Sequence, residues 1–233
     1  MQTQVKGLGL TGNQLKILAL IFMTADHIGY MLLPQLIFLR CIGRLAMPIF
    51  AWMIAEGCRY TKNRARYFGM IFAVGSLCQI VYLVFMQSLY MCVLITFSMS
   101  VLLIFAMYNA IQKKSVLSIL LLCAVLSGIC YACLFLPGRL PGTDFYIDYG
   151  IFGVLLPVGI YIAKSKGQKL LAAAVLLVLL VLSNGPIQWF ALIALPLLAV
   201  YNGRRGKIKM KYLFYIYYPL HLAAIYGISL LLH

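Results

Sequence analysis

Nine apolar runs divide the chain, at about 15–34, 40–58, 67–87, 90–112, 115–136, 148–163, 169–184, 186–201 and 212–231. A run of about 20 apolar residues is long enough to cross a ~30 Å hydrocarbon core as a helix. The pattern therefore predicts an all-α integral membrane protein of about nine transmembrane helices. The sixth to eighth runs are short. Only Ser183, Asn184, Gly185 and Pro186 separate the seventh from the eighth, and these turn-forming residues predict a tight hairpin rather than one long helix.

Between the runs lie short clusters of lysine and arginine. Placing the amino terminus on the cytoplasmic side puts all of the 19 basic residues inside except Arg40, Arg44 and Arg139. That asymmetry is expected of inner loops, and it predicts an inside amino terminus and an outside carboxyl terminus. Lys6, Lys16, Lys113, Lys114, Lys164, Lys166, Lys169, Arg204, Arg205, Lys207, Lys209 and Lys211 all contribute. The longest outer connection, Leu136 to Gly150, holds two Pro-Gly pairs that oppose a continuous helix. It reads as a solvated loop or as a lid over an outward pocket.

Composition sharpens this picture. Of 233 residues 64% are hydrophobic and 10% charged, with mean hydropathy +1.01; soluble domains carry about 25% charged residues. One polytopic membrane domain over residues 1–233 is expected. The start, MQTQVKGLGLTGNQ, is too long and polar for a signal peptide's short basic region, so no cleaved presequence is expected. The net charge of +15 is scattered among loops, which matches an anionic lipid leaflet and predicts no nucleic-acid partner. The seven cysteines lie within or beside apolar runs as small buried hydrophobes; Cys130 and Cys133 form a weak C-x-x-C.

Against this background four acidic residues stand out. Two of them, Asp26 and Glu56, lie inside apolar runs, where a charge costs about 2.5–3.5 kcal/mol at the centre of a lipid-facing helix. Asp26 precedes His27, and Arg44 enters the second run near its outer end. An Asp26–Arg44 ion pair follows from their depths, as a structural clamp or as part of a site. Adjacent helical residues point about 100° apart, so Asp26 does not orient His27. His221 lies mid-membrane in the last run, one turn after Tyr217 and Tyr218 and beside Pro219. The two histidines can meet across a helical bundle, where a neutral imidazole is suited to take a proton from an attacking amine or hydroxyl. No third ligand is spaced to join them, so no metal is expected. Thr24, near His27, is an alternative nucleophile. Glu56 either pairs with Arg59 or Arg64 or takes part in chemistry. The loop CRYTKNRARY holds Arg59, Lys62, Arg64 and Arg66, which set orientation or cradle phosphates, since arginine forks grip phosphate. There is no glycine-rich nucleotide loop.

The blocks LKILALIFMTADHIGYMLLP, IGRLAMPIFAWMIAEGCRYTKNRARYF, DYGIFGVLL and YYPLHL resemble, in order, the TraX family. Its named member acetylates the amino terminus of conjugative pilin, and the family resembles wider transmembrane acyltransferases that draw on cytoplasmic acyl-CoA. The likeness starts at about residue 13, with the middle third matching chiefly in hydropathy. Met47-Pro48 stands where an aromatic commonly precedes the proline. The resemblance implies a bacterial-type cytoplasmic (inner) membrane enzyme that moves an acetyl group from acetyl-CoA to a pilin-like peptide or another membrane-associated acceptor. It carries over Asp26, His27, Arg44, Glu56 and His221 as catalytic candidates. In this reading His27 or His221 is the base, Arg44 supports the oxyanion, and Arg59, Lys62, Arg64 and Arg66 meet the phosphates of coenzyme A. The alternative expectation is a small proton-coupled secondary transporter relaying protons through Asp26, His27 and Glu56; no inverted repeat is visible to support it. A non-catalytic membrane scaffold is the third.

Overall fold

A computed structural model describes residues 9–206 and 211–232. Lys6, Lys207 and Lys209 lie outside the described residues, as does the side chain of Lys211. The fold is helical, and among the described residues the β contacts are two isolated bridges, Leu10 with Tyr201 and Met91 with Ile147. Among the described residues six helices, rather than the nine expected, are long and apolar enough to cross a membrane: Ile37–Tyr60, Arg64–Phe85, Val93–Lys113, Val116–Arg139, Lys166–Asn184 and Leu213–Leu232; the first run, helical over Gly12–Met31, is not one of them. The chain divides into two compact units, one of Met1–Met53 with Gly185–His233 and one of Ile54–Asn184.

The first unit is built on α1 (Gly12–Met31). Its opening turn has backbone N–H groups with no partner inside the helix. Thr11 and Gln14 form a capping box, and the carbonyls of Arg204 and Arg205 accept from the amides of Gly12 and Asn13 at 2.8 and 3.0 Å. Next come α2 (Ile37–Gly43) and α3 (Ala46–Tyr60), the latter running on through the division at Met53. The second run therefore begins at Ile37, not at residue 40, because Pro34 and Gln35 suffice for the turn. Arg40 and Arg44 consequently sit one turn apart, both well inside. The eighth run is not one α-helix. Pro186–Ile193 winds as a 3₁₀ helix before α10 (Ala194–Ala199). At about 2.0 and 1.5 Å per residue the two pieces cover about 25 Å, more than an α-helix of equal length. The last helix, α11 (Lys211–Leu232), contains Pro219.

Helices α1 and α2 approach closely because glycines face the contact. A Cβ added at Gly43 would stand 2.7 Å from the Asp26 Cα, and one at Gly29 would stand 3.3 Å from the Arg40 amide nitrogen.

In the second unit α4 (Arg64–Phe85) precedes α5 (Val93–Lys113). Then come α6 (Val116–Cys130), a π turn over Tyr131–Phe135, and α7 (Leu136–Arg139). The helical run passes the first Pro-Gly pair but ends at Arg139, so no continuous helix spans Leu136 to Gly150, as the sequence predicts. Pro137, which has no N–H for the carbonyl four residues back, follows just after the π turn. The sixth run is only α8 (Gly150–Ile162), 13 residues or about 20 Å long, which is short of a ~30 Å core. Its start is delayed by left-handed backbone at Tyr149 and Gly150. Helix α9 (Lys166–Asn184) ends where Gly185 turns to φ +91°, so the expected break is present.

Helix α5 packs against α4, α6 and α8. Hydroxyls join it to α8: Ser100 donates to the Val154 carbonyl at 2.8 Å and Thr96 to the Asp148 carbonyl at 2.7 Å. Small polar side chains suit such contacts in a bilayer, where apolar burial between helices gives little drive. Helices α4 and α6 leave most of their apolar surface uncovered, as lipid-facing helices do. The connection between α7 and α8 is fastened by its acids. Asp144 accepts from the Ser88 hydroxyl and, at 2.8 Å, from the Leu89 amide. Asp148 accepts from the Tyr90 hydroxyl at 2.6 Å. Cys130 and Cys133 are free thiols.

Two predictions follow from this packing. Gly43→Ala must push α2 off α1, costing about 1–3 kcal/mol as overpacking does; thermal unfolding in detergent checks this, and an unchanged midpoint would sink it. The hydrogen bonds from Ser88 and Leu89 hold the Asp144 carboxyl below its usual range. The clasp is therefore complete above the ordinary aspartate value near 4 and is lost as pH falls through the lowered folded value. Hydrogen exchange at the Leu89 amide should show protection in the wild type at neutral pH that Asp144→Ala, which has no acceptor oxygen, lacks. Equal protection in both would show the clasp to be idle.

Candidate functional site

Helix α1 places two ionisable side chains side by side in sequence and on different faces. Asp26 turns toward α2 and His27 toward α11, as the ~100° step between neighbours requires. Toward α2, Asp26 accepts from Arg40 Nη1 at 2.9 Å and pairs with Arg44 Nη2. The Arg44 Nε also reaches the Arg40 carbonyl at 3.4 Å, and the Arg40 guanidinium lies 4.9 Å from the Tyr30 ring centre. Arg44 is buried. The expected Asp26–Arg44 pair is thus present, and Arg40 joins it. Arg40 was not among the sequence candidates because the second helix was started too late. Its i, i+4 spacing from Arg44 was the available signal, since that spacing puts two side chains on one face.

Toward α11, the two histidines meet. His221 Nε2 lies 3.2 Å from His27 Nδ1, with the rings edge to face. One turn away Thr24 Oγ1 lies 2.7 Å from the Tyr217 hydroxyl, making a second rung of the same ladder. Tyr217 stacks on the His221 ring and Tyr218 meets it edge-on. Pro219 has no N–H for the carbonyl four residues back.

The hydrogen bonds assign the protons. His27 Nδ1 lies 2.9 Å from the Met23 carbonyl, and His221 Nδ1 lies 3.0 Å from the Tyr217 carbonyl. A carbonyl only accepts, so in the neutral rings both Nδ1 atoms carry the hydrogen. His221 Nε2 then accepts, sharing the His27 Nδ1 hydrogen with Met23. The lone pair that remains for another molecule is on His27 Nε2. Thr24 is ordered in the same way. Its hydroxyl donates to the Leu20 carbonyl at 2.8 Å and accepts from Tyr217. No histidine among the described residues takes its proton, so nothing here activates Thr24 as a nucleophile.

The remaining candidates lie in the second unit. Glu56 does not pair with Arg59 or Arg64; it binds Lys169 Nζ at 2.7 Å, with both side chains mostly buried. The partner lies 113 residues on, on α9, where a local pairing along the chain does not reach. Arg59 instead donates to the carbonyls of Tyr161 and Ala163, at 2.6 and 3.1 Å. That covers acceptors exposed where α8 ends, a favourable place for a cation. Arg64 lies over the Tyr108 ring, 3.5 Å from its centre. Lys62 and Arg66 are exposed.

A probable fimbrial assembly protein FimC of Dichelobacter nodosus is 24% identical over 94% of this chain and 95% of its own length. An uncharacterized protein of Rickettsia prowazekii is 48% identical over 52 residues, 22% of this chain and 21% of that protein. No solved structure matches the chain. The TraX protein family model matches residues 11–229, which takes in Asp26, His27, Arg40, Arg44 and His221. The chain belongs to the TraX family.

Proposed function

We propose that this multi-pass protein is an acetyltransferase of the cytoplasmic membrane, with its amino terminus inside and its carboxyl terminus outside. It takes the acetyl group of cytoplasmic acetyl-CoA and delivers it to an amine or hydroxyl of a membrane-associated acceptor. A pilin-like peptide is the first acceptor to test, given a relative named for fimbrial assembly and the family resemblance. The observation that carries the reading is the histidine pair between α1 and α11, ordered so that one ring nitrogen is left as a base.

In this mechanism His27 Nε2 takes the proton of the acceptor as its nitrogen or oxygen attacks the thioester carbonyl carbon. A C–N or C–O bond forms and the C–S bond breaks. The proton passes from His27 to the departing thiolate, giving free thiol. His221 is a positioning residue. Its Nε2 accepts from His27 Nδ1–H, holds the tautomer, and gains strength when His27 becomes a cation. Arg44, fixed by Asp26, presents positive charge to the oxyanion. Direct transfer fits the site better than an acyl-threonine, because the Thr24 proton is committed to Leu20. The exposed Lys62 and Arg66 receive the phosphates of coenzyme A, while Arg59 and Arg64 shape that loop through their own contacts. Glu56 serves as the ion-pair partner of Lys169.

Labelled acetyl-CoA and a panel of peptide and hydroxyl acceptors test the reading in liposomes. His27→Gln should lower kcat about 10²–10⁴-fold, the usual worth of a general base. His221→Leu should lower kcat and distort the pH profile, whereas His221→Gln, whose amide oxygen still accepts, should recover much of the loss. Replacing Lys62 and Arg66 with Gln should raise KM for acetyl-CoA and spare kcat. Full activity in both His27→Gln and His221→Leu would end this mechanism. Solute accumulation driven by a proton gradient, with indifference to acetyl-CoA, would favour a transporter.

A further inference from the structure

The carboxylates of this chain are few enough to account for one by one. There are four acidic residues. Glu56 is held by Lys169, Asp144 by Ser88 and Leu89, and Asp148 accepts from Tyr90. Asp26 alone faces both Arg40 and Arg44. Two guanidinium groups that are always charged thus share one carboxylate, and the cluster carries a formal excess of one positive charge. Charge held within the helical segments of a membrane protein marks a candidate functional position.

The two arginines are not equivalent. The Arg44 side chain is 8% exposed and the Arg40 side chain 23%. Arg40 offers five N–H donors, and the hydrogen bonds seen for its side chain use Nη1 alone, to the Asp26 carboxylate and, at 3.4 Å, its carbonyl. The Tyr30 ring supports the guanidinium by a cation–π contact, which leaves its N–H edges available. The cluster is attached to α1 at Asp26, next in sequence to His27, whose Nε2 holds the available lone pair.

We infer that Arg40, backed by Arg44 and levelled by Asp26, is an anion-binding subsite that takes a carboxylate or phosphate group of the acceptor. Its role in catalysis rests on the acetyltransferase reading; the binding itself does not. The acceptor class is then an amine or hydroxyl with an acidic group a few bonds away, held so that the nucleophile reaches His27. The acidic group belongs either to a soluble molecule or to a lipid headgroup.

The test uses the full chain without acetyl-CoA. Thermal unfolding in a neutral detergent is followed against inorganic phosphate at constant ionic strength. The wild-type midpoint should rise with phosphate and saturate. Arg40→Gln should need about tenfold more phosphate or worse for the same rise, as loss of a charge-assisted hydrogen bond implies. Arg40→Lys, which keeps the charge without the fork, should fall between them and stands in if Arg40→Gln does not fold. Lys113→Gln, a change in an exposed lysine, should behave as wild type. A parallel arm compares nanodiscs of phosphatidylglycerol with nanodiscs of phosphatidylcholine. Stabilisation by phosphatidylglycerol that Arg40 variants lose assigns a lipid headgroup; a response to phosphate alone assigns a soluble acceptor. Equal responses in wild type and Arg40 variants, or no response to phosphate or phosphatidylglycerol, would overturn the subsite. Because neither arm reads acetyl transfer, loss of the subsite and loss of the acetyltransferase reading are separate results.

Discussion

The structure of the first unit depends on one constraint: a helix that carries an aspartate and a histidine in succession must find each of them a polar partner. An ionisable group among apolar side chains is costly unless it is paired or hydrogen-bonded, and the ~100° step points the two side chains in different directions. Helix α1 therefore needs two partners, one for each face. Helix α2 meets Asp26 with arginines one turn apart, and α11 meets His27 with His221. The glycines at 29 and 43 follow from the same constraint, since they let α1 and α2 come close enough for the short arginine–carboxylate contacts. Small residues at a helix contact are how membrane helices approach each other.

Much of this was legible in the sequence. The helical class followed from run length, and the Asp26–Arg44 pair and the meeting of His27 with His221 followed from depth along the helices. The missed features share a cause. Arg40 stands at the very start of the second apolar run because apolar periodicity marks a helix where it becomes lipid-like, whereas α2 starts as soon as the turn after Pro34 allows. Lys169 was missed as the partner of Glu56 because a run of hydropathy carries no information about which distant helices touch. The 3₁₀ winding of Pro186–Ile193 and the π turn at Tyr131–Phe135 were invisible for a further reason. Both preserve the apolar composition and change only the hydrogen-bond step.

The acids divide according to what surrounds them. Asp144 and Asp148, in the connection between α7 and α8, accept hydrogen bonds from neutral hydroxyl and amide groups of the turn between α4 and α5. There water can reach a carboxylate and a counter-charge is unnecessary. Glu56 and Asp26 lie within helices and are met by cations. A buried charge keeps its place only when another charge or several hydrogen bonds replace water. Glu56 satisfies this with a single lysine at 2.7 Å, an electrically closed pair. Asp26 is over-compensated, which stability alone does not require.

The histidine pair shows how ordinary helical geometry can set proton positions without any dedicated acid. Each ring reaches back to the carbonyl one turn before it, at Met23 and at Tyr217. That contact is a consequence of side chains in helices leaning toward the amino terminus. Since those carbonyls only accept, both Nδ1 atoms must carry hydrogen, and the edge-to-face meeting of the rings turns His221 into the acceptor. No carboxylate need orient His27, so Asp26 is free to serve a different face. One helix thereby gives separate partners to two groups that a carboxylate–histidine couple would join: α11 meets the histidine, and α2 meets the aspartate.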